Sequence, residues 1–342
     1  MTEPASRTSP TNSSEAPPDI VVLRAKAHGL GSEALVRALR DRLPDHDIRW
    51  ARTPQDERRY AARAPVMVGQ TISEALLDRA EHLRLFACAS AGTGRLPMDA
   101  LAARGIAVTN ASGVHVPNAA EHAIGAMLVF ARRFHAAWRR QQQRDGRHFA
   151  AFGQLAGCTA TVLGLGPIGR SIVARLKAFE VKTVGVRYTP SKGGPTDEVI
   201  GFEAEPLHHA LARTDYLIIA CPLSETTRGL IGASELMTLP TRAVLVNVAR
   251  GPIVDTDALV EALQQRSIHG AALDVTDPEP LPEGHPLWRL GNVLLTPHNA
   301  GYTERYWTRL ADLLARNLQR IEATGAYDGL ENQVLPESDR RS

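Results

Sequence analysis

The residues best equipped for chemistry lie in the last third of the chain. Arg250, Glu279 and His298 each follow an apolar, strand-like run: Ala243–Val248, Ala271–Leu273 and Val293–Leu295. Together they suit hydride transfer to a 2-keto acid. An imidazole at His298 can protonate the carbonyl oxygen as hydride reaches the carbon, and take the proton back in reverse. A carboxylate partner, Glu279, favours the imidazolium. A guanidinium at Arg250 can grip the substrate carboxylate with two N–H groups and polarise the carbonyl. Taken singly, each has a plainer reading. An arginine is usually a surface charge, Glu279 sits in a proline-rich turn (Asp277-Pro278-Glu279-Pro280), and His298 after Pro297 could be a cap.

Such residues need a frame that brings a hydride carrier to them. Thr161–Arg187 supplies one. The apolar run Thr161-Val162-Leu163 is broken by Gly164-Leu165-Gly166-Pro167-Ile168-Gly169. A helical pattern follows (Ile172, Val173, Leu176, Phe179), and Val181–Val186 closes a strand–helix–strand unit. Gly164 permits the tight exit, Gly166 lets a pyrophosphate approach the backbone, and Gly169 lets the helix pack close to the strand. The free N–H groups at the start of that helix then face the phosphates.

Arg187 ends the second strand, eighteen residues past Gly169, where carriers lacking a 2′-phosphate meet an acid. A guanidinium there can fork onto a phosphate that a carboxylate would repel. Tyr188 adds a stacking face and Thr189 a hydroxyl. The sequence therefore predicts NADP(H) as the preferred cofactor, with NAD(H) the weaker alternative. A charge-assisted pair worth about 1.5–3 kcal/mol implies discrimination on the order of 10- to 100-fold.

The 342 residues allow one very large or two ordinary domains, and 44% are apolar, enough for a core. A net charge of +2 argues against nucleic-acid or membrane partners driven by bulk charge. Of 39 basic residues four are lysine, a bias without a functional reading. Cys88, Cys158 and Cys221 form no CxxC pair and no disulfide framework, which fits a reducing cytoplasm. No histidine spacing suggests a metal; His208 and His209 are adjacent and would point to different helix faces. No apolar run reaches 18 residues, and the polar start lacks the apolar region of a secretory signal.

The remaining pattern alternates strands and helices. Asp19–Leu23, Val66–Val68, Leu83–Cys88 and Ile106–Val108 read as strands, Ser32–Leu43 and Ser73–Ala80 as helices. Asn118–Arg133 reads as a strong helix with Ala119, His122, Ala123, Ala126, Met127 and Phe130 on one side. The arginines from Arg132 to Arg147 read as a solvated helix end, and residues 141–157 as a connector. Tyr188–Pro206 reads mostly as loop, Leu207–Ala212 as helix and Tyr216–Ala220 as a buried strand. Ala258–Gln264 and Arg309–Ile321 read as helices, Pro336–Ser342 as a polar tail. This order implies parallel sheets covered on both faces.

VNVARGPIVD (246–255), ALDVTDPEPLP (272–282) and LLTPHNAG (294–301) resemble the D-2-hydroxyacid dehydrogenase family, as do GLGPIGR (164–170), CPLSETTRGLI (221–231) and NAAEHA (118–123). The likeness spans roughly residues 85–310, with blocks in matching order. It implies that Arg250, Glu279 and His298 form the catalytic triad, and that Asp274 contacts the nicotinamide side of the cofactor. It implies further cofactor contacts at Cys221, Pro222, Thr227, Val248, Ala249, His298 and Gly301. It also implies that Ala91 and Gly92 offer backbone N–H groups to the substrate carboxylate. The implied fold is α/β with two Rossmann-like or flavodoxin-like parallel-sheet domains, the cofactor domain inserted into the substrate domain. Residues 1–18 would be a disordered tail, 19–117 plus 302–335 the substrate domain and 118–301 the NAD(P)-binding domain, with the active site in the cleft. A homodimer through the cofactor domain is implied as well.

The segment 185–202 is similar to NADP-using members from salt-loving archaea, although the near-neutral chain lacks the acidity of halophilic proteins. The loop reads Ala91-Gly92-Thr93-Gly94, where members often carry an acid at the fourth position, so the choice among small 2-keto acids stays open. The expected activity is NADPH-dependent reduction of a 2-keto acid to a D-2-hydroxy acid. The alternatives are a glyoxylate/hydroxypyruvate reductase in the narrower sense and a non-enzymatic NAD(P) sensor of the same fold. A formate-type dehydrogenase is disfavoured, because such enzymes pair the histidine with glutamine.

Overall fold

A computed structural model describes residues 18–27, 30–147 and 153–334. The two expected tails, Pro18 excepted, lie outside these residues, as does part of the 141–157 connector. The chain divides into two compact units: Met1–Val114 with Glu304–Ser342, and His115–Thr303.

In the first unit the order is β1 (Ile20–Val22), β2 (Lys26–Ala27), β3 (Leu30–Gly31), α1 (Ser32–Arg42), β4 (Ile48–Trp50), α2 (Pro54–Ala61), β5 (Val66–Gly69), α3 (Glu74–Leu77), β6 (Leu85–Cys88), α4 (Met98–Ala103) and β7 (Ala107–Thr109). The second unit holds α5 (Val116–Ala131), α6 (Phe134–Gln142), β8 (Thr159–Leu163), α7 (Pro167–Ala178), β9 (Lys182–Val186), β10 (Glu198–Ile200), α8 (Ala204–Leu211) and β11 (Tyr216–Ile219). It continues with α9 (Ala233–Thr238), β12 (Val244–Asn247), α10 (Thr256–Gln264), β13 (Gly270–Leu273) and β14 (Val293–Leu295); α11 (Tyr306–Thr324) returns to the first unit.

The first unit's main sheet runs β4-β1-β5-β6-β7, the second unit's β10-β9-β8-β11-β12-β13-β14. Every neighbour in both is parallel. Numbered within their units these are the orders 2-1-3-4-5 and 3-2-1-4-5-6-7, the flavodoxin-like and Rossmann-like windings. The fold is therefore α/β with two parallel sheets, as expected.

Alternation along each strand divides its side chains between two faces. In the second unit Leu163, Leu217, Ile219 and Leu245 pack toward α8, α9 and α10, while Val162, Ile218 and Val246 pack toward α5 and α7. Strands buried on both faces must be apolar throughout, which is why these runs stood out. Ile172, Val173 and Leu176 of α7 are buried as expected; Phe179, expected on the same face, lies past the helix end and is exposed.

Other differences have local causes. The helix expected to reach Arg133 stops at Ala131, because Arg133 takes left-handed backbone (φ 53), and part of the expected connector is α6. The expected loop 188–206 contains the edge strand β10. Among the described residues no helix is long and apolar enough to cross a membrane.

Candidate functional site

β8 ends at Leu163, and the chain turns at Gly164 in left-handed backbone (φ 97). A Cβ there would stand 2.7 Å from the Cα of Cys221, so only glycine fits where β8 passes β11. A Cβ on Gly169 would stand 1.9 Å from the Gly164 carbonyl oxygen. Gly166 differs: nothing lies within 4 Å of its would-be Cβ. It precedes Pro167 and Ile168 at the start of α7, whose N-terminus has no side-chain cap. The turn thus combines close packing on its inner side with an open approach to uncapped N–H groups. It lies beside β8, where the strand order reverses, the usual crevice of open α/β sheets. The residues present fit a dinucleotide pyrophosphate.

β9 runs beside β8, with Leu163 opposite Val186, so Arg187 emerges next to this turn. Its N–H donates to the Ile200 carbonyl (3.1 Å) and its guanidinium to the Gly193 carbonyl (2.6 Å). Tyr188 is exposed, its hydroxyl 3.0 Å from the Ser224 hydroxyl. Thr189 is exposed just before a short 3-10 turn. In the loop after β11, Thr227 is buried and donates its hydroxyl to the Pro222 carbonyl (2.7 Å), shaping the loop from within. Cys221 is buried, and burial pushes its thiol up to about 11, so it stays neutral. Val248 is half-buried and Ala249 buried, just after β12.

The triad candidates follow three neighbouring strands. Arg250 is exposed past β12, donates to the Ala249 carbonyl (2.6 Å), and has no carboxylate partner among the described residues. Gly251 packs so tightly that a Cβ would stand 2.0 Å from the Thr276 carbonyl, pressing this loop against the one after β13. That second loop carries Glu279, whose Oε1 lies 2.5 Å from Nδ1 of His298. The pair is accessible, with side chains 48% and 42% exposed, so water or a small substrate can reach it. Both residues line a cavity of about 550 Å³, walled on its apolar side by Leu281, Pro297 and Trp288.

His298 itself has left-handed backbone (φ 51), uncommon outside glycine, though histidine, asparagine and aspartate adopt it more readily than other residues. The restraint holding it comes from Asp274. The Asp274 carbonyl accepts the His298 N–H (2.8 Å). Its buried carboxylate accepts the Thr296 hydroxyl (2.6 Å) and the N–H groups of Asn299 and Ala300 (both 2.9 Å). His122 of α5 adds Nε2 at 3.1 Å from the Thr296 hydroxyl. The Gly301 carbonyl lies 2.9 Å from Nδ1 of His115, and the Ala300 carbonyl accepts from Asn118. Sequence reasoning placed His122 only on a packed helix face and had no role for Thr296. The signal available was a polar residue directly after an apolar strand.

Ala91 and Gly92 belong to the first unit, in the loop after β6, and both are exposed. The Ala91 carbonyl accepts from the Asn110 amide (2.9 Å). Among the described residues no group of three or more His, Cys, Asp or Glu could hold a metal.

Residues 124–300 match the family described as D-isomer specific 2-hydroxyacid dehydrogenase, NAD binding domain. A glyoxylate reductase of Thermofilum pendens is 37% identical over 253 residues, covering 72% of this chain and 74% of that one. The crystal structure of a D-isomer specific 2-hydroxyacid dehydrogenase from Xanthobacter autotrophicus Py2, in complex with NADPH and MES, superposes with a TM-score of 0.73 at 29% identity, covering 94% of this chain and 99% of that one. An NADPH-dependent glyoxylate/hydroxypyruvate reductase from Sinorhizobium meliloti gives 0.70 at 29% identity, covering 92% and 97%.

Proposed function

Because this chain belongs to the D-isomer specific 2-hydroxyacid dehydrogenase family, we propose that it reduces small 2-keto acids to D-2-hydroxy acids with NADPH as its preferred cofactor. The observation that carries this reading is the contact between Nδ1 of His298 and the Glu279 carboxylate, on the same sheet edge as the glycine turn. With Nδ1 engaged, Nε2 is the nitrogen left to give a proton to the substrate carbonyl oxygen and to recover it in the reverse reaction. Glu279 fixes the orientation of the ring and leaves Nε2 facing the open side of the pair. Arg250, without a carboxylate of its own, binds the substrate carboxylate and steadies charge developing on the carbonyl oxygen. Ala91 and Gly92 are assigned to the substrate carboxylate as backbone donors.

The bound dinucleotide supplies the hydride. Gly164, Gly166 and Gly169 shape its cradle, and the first turn of α7 meets the pyrophosphate. Arg187, Tyr188 and Thr189 are assigned to the 2′-phosphate end. The NADPH carried by the Xanthobacter structure and named for the Sinorhizobium enzyme supports this preference. The working unit is proposed to be a homodimer.

Turnover of several 2-keto acids, glyoxylate and hydroxypyruvate among them, with NADPH and NADH tests the proposal. kcat/KM is expected to favour NADPH on the order of 10- to 100-fold. Arg187→Asp is expected to reverse that ratio. Equal kcat/KM with both cofactors removes the assignment of Arg187, and no turnover of any 2-keto acid removes the enzyme reading.

A further inference from the structure

β12 and β13 point their carboxyl ends at the candidate site. Beyond their amino ends, wholly within the second unit, lies another cavity of about 680 Å³. Its floor is Phe130, at the end of α5. The His135 ring lies 5.1 Å from the Phe130 centroid and the His269 ring 6.4 Å, on α6 and just before β13 respectively. Phe130 is held there because Gly270 has no side chain; a Cβ would stand 2.5 Å from the ring. Arg133, Arg139 and Arg266 complete the polar wall.

The charges in this cavity have one sign. Among the described residues no aspartate or glutamate lines it. Arg139 donates to the Gly291 carbonyl (2.9 Å), and neither Arg133 nor Arg266 has a carboxylate partner among the described residues. Arg133 and Arg266 both stand in left-handed backbone (φ 53 and 57) at tight turns, which fixes where their side chains begin. Burial first, then the neighbouring arginines, push both imidazoles below the usual histidine range. Basic groups gathered without a counter-charge repel one another, and an anion set among them relieves that repulsion. Arginine forks suit phosphate and carboxylate oxygens, and the half-buried Leu290 offers apolar wall to a carbon skeleton.

We propose that this cavity is a second ligand site, separate from the dinucleotide cradle, for a small organic anion carrying two or more charges on phosphoryl or carboxylate groups. Four-residue strands at about 3.3 Å per residue place it roughly 13 Å or more from the candidate active site. The cavity lies on the opposite sheet edge from the glycine turn, so the same anion cannot occupy both.

Titration calorimetry on the full chain, with the nicotinamide cofactor at saturation, tests this with inorganic pyrophosphate and tricarballylate as probes. One site per chain is expected, weakened about tenfold or more in the double variant Arg133→Gln/Arg266→Gln, whose kcat and KM stay at the wild-type values. Heat from pyrophosphate alone assigns the site to phosphoryl ligands, and heat from tricarballylate alone to carboxylates. Arg139→Gln, on a helix face, gives the same reading should the double variant fail to fold. Undiminished binding in the variants, or no binding of either probe at millimolar concentration, overturns the proposal. It is overturned too if neither probe binds and the double variant changes its sedimentation, which would assign the arginines to a contact between chains.

Discussion

The Asp274 carboxylate and carbonyl together engage Thr296, His298, Asn299 and Ala300, the loop on which the proposed acid–base group rides. Two substitutions separate chemistry from support. His298→Asn removes proton exchange and keeps a loop whose left-handed backbone asparagine tolerates. kcat is expected to fall on the order of 10²- to 10⁴-fold, with cofactor affinity, read by fluorescence titration, unchanged. Loss of cofactor binding instead would reassign His298 to the cradle. Thr296→Val leaves the buried Asp274 carboxylate short of its hydroxyl donor, a loss of about 1.5–3 kcal/mol for a charged acceptor. Urea unfolding should register that loss while Thr296→Ser restores stability; a valine variant as stable as wild type would show that the two N–H donors suffice.

The glycine turn holds two positions with opposite expectations. Gly169→Ala drives a methyl group into the Gly164 carbonyl and should cost about 1–3 kcal/mol or more of stability. Gly166→Ala meets open space at ordinary backbone angles (φ −71). It should leave stability within about 1 kcal/mol of wild type while weakening cofactor binding. If Gly166→Ala bound cofactor like wild type, the pyrophosphate would not approach where the cradle reading puts it. Such turns, and strands buried on both faces, were legible because one physical demand dictates every residue in them. β4 was not, since Arg49 interrupts its apolar run, and α2 was not, since Ala61 is its only buried residue. β10 is an edge strand of three half-buried residues flanked by glycine and proline, so composition hid it. Likewise the pairing of Glu279 with His298 could be expected from motif and resemblance. The Thr296–Asp274–His122 support could not, because its members lie on three separate elements.

Among the described residues each hydrophobic cluster draws on one unit alone. The first unit's sheet has one face against α1 and α11 and the other against residues of α2, α3 and α4. The second unit's faces are covered by its own helices. Trp307, 1% exposed, and Tyr306, whose hydroxyl donates to the Ala89 carbonyl (2.6 Å), anchor α11 to the first sheet. The chain therefore returns to its first core after completing the second, and stability need not be shared evenly. Trp307→Ala empties one core and should cost that unit about 3–5 kcal/mol. Hydrogen exchange should report the loss in β1 and β5 and spare β8 and β11. Saturating cofactor should act in reverse, adding about 2.7 kcal/mol at a hundredfold excess over Kd to the unit that binds it. Faster exchange spread equally over both sheets in the variant would mean that the two cores unfold as one.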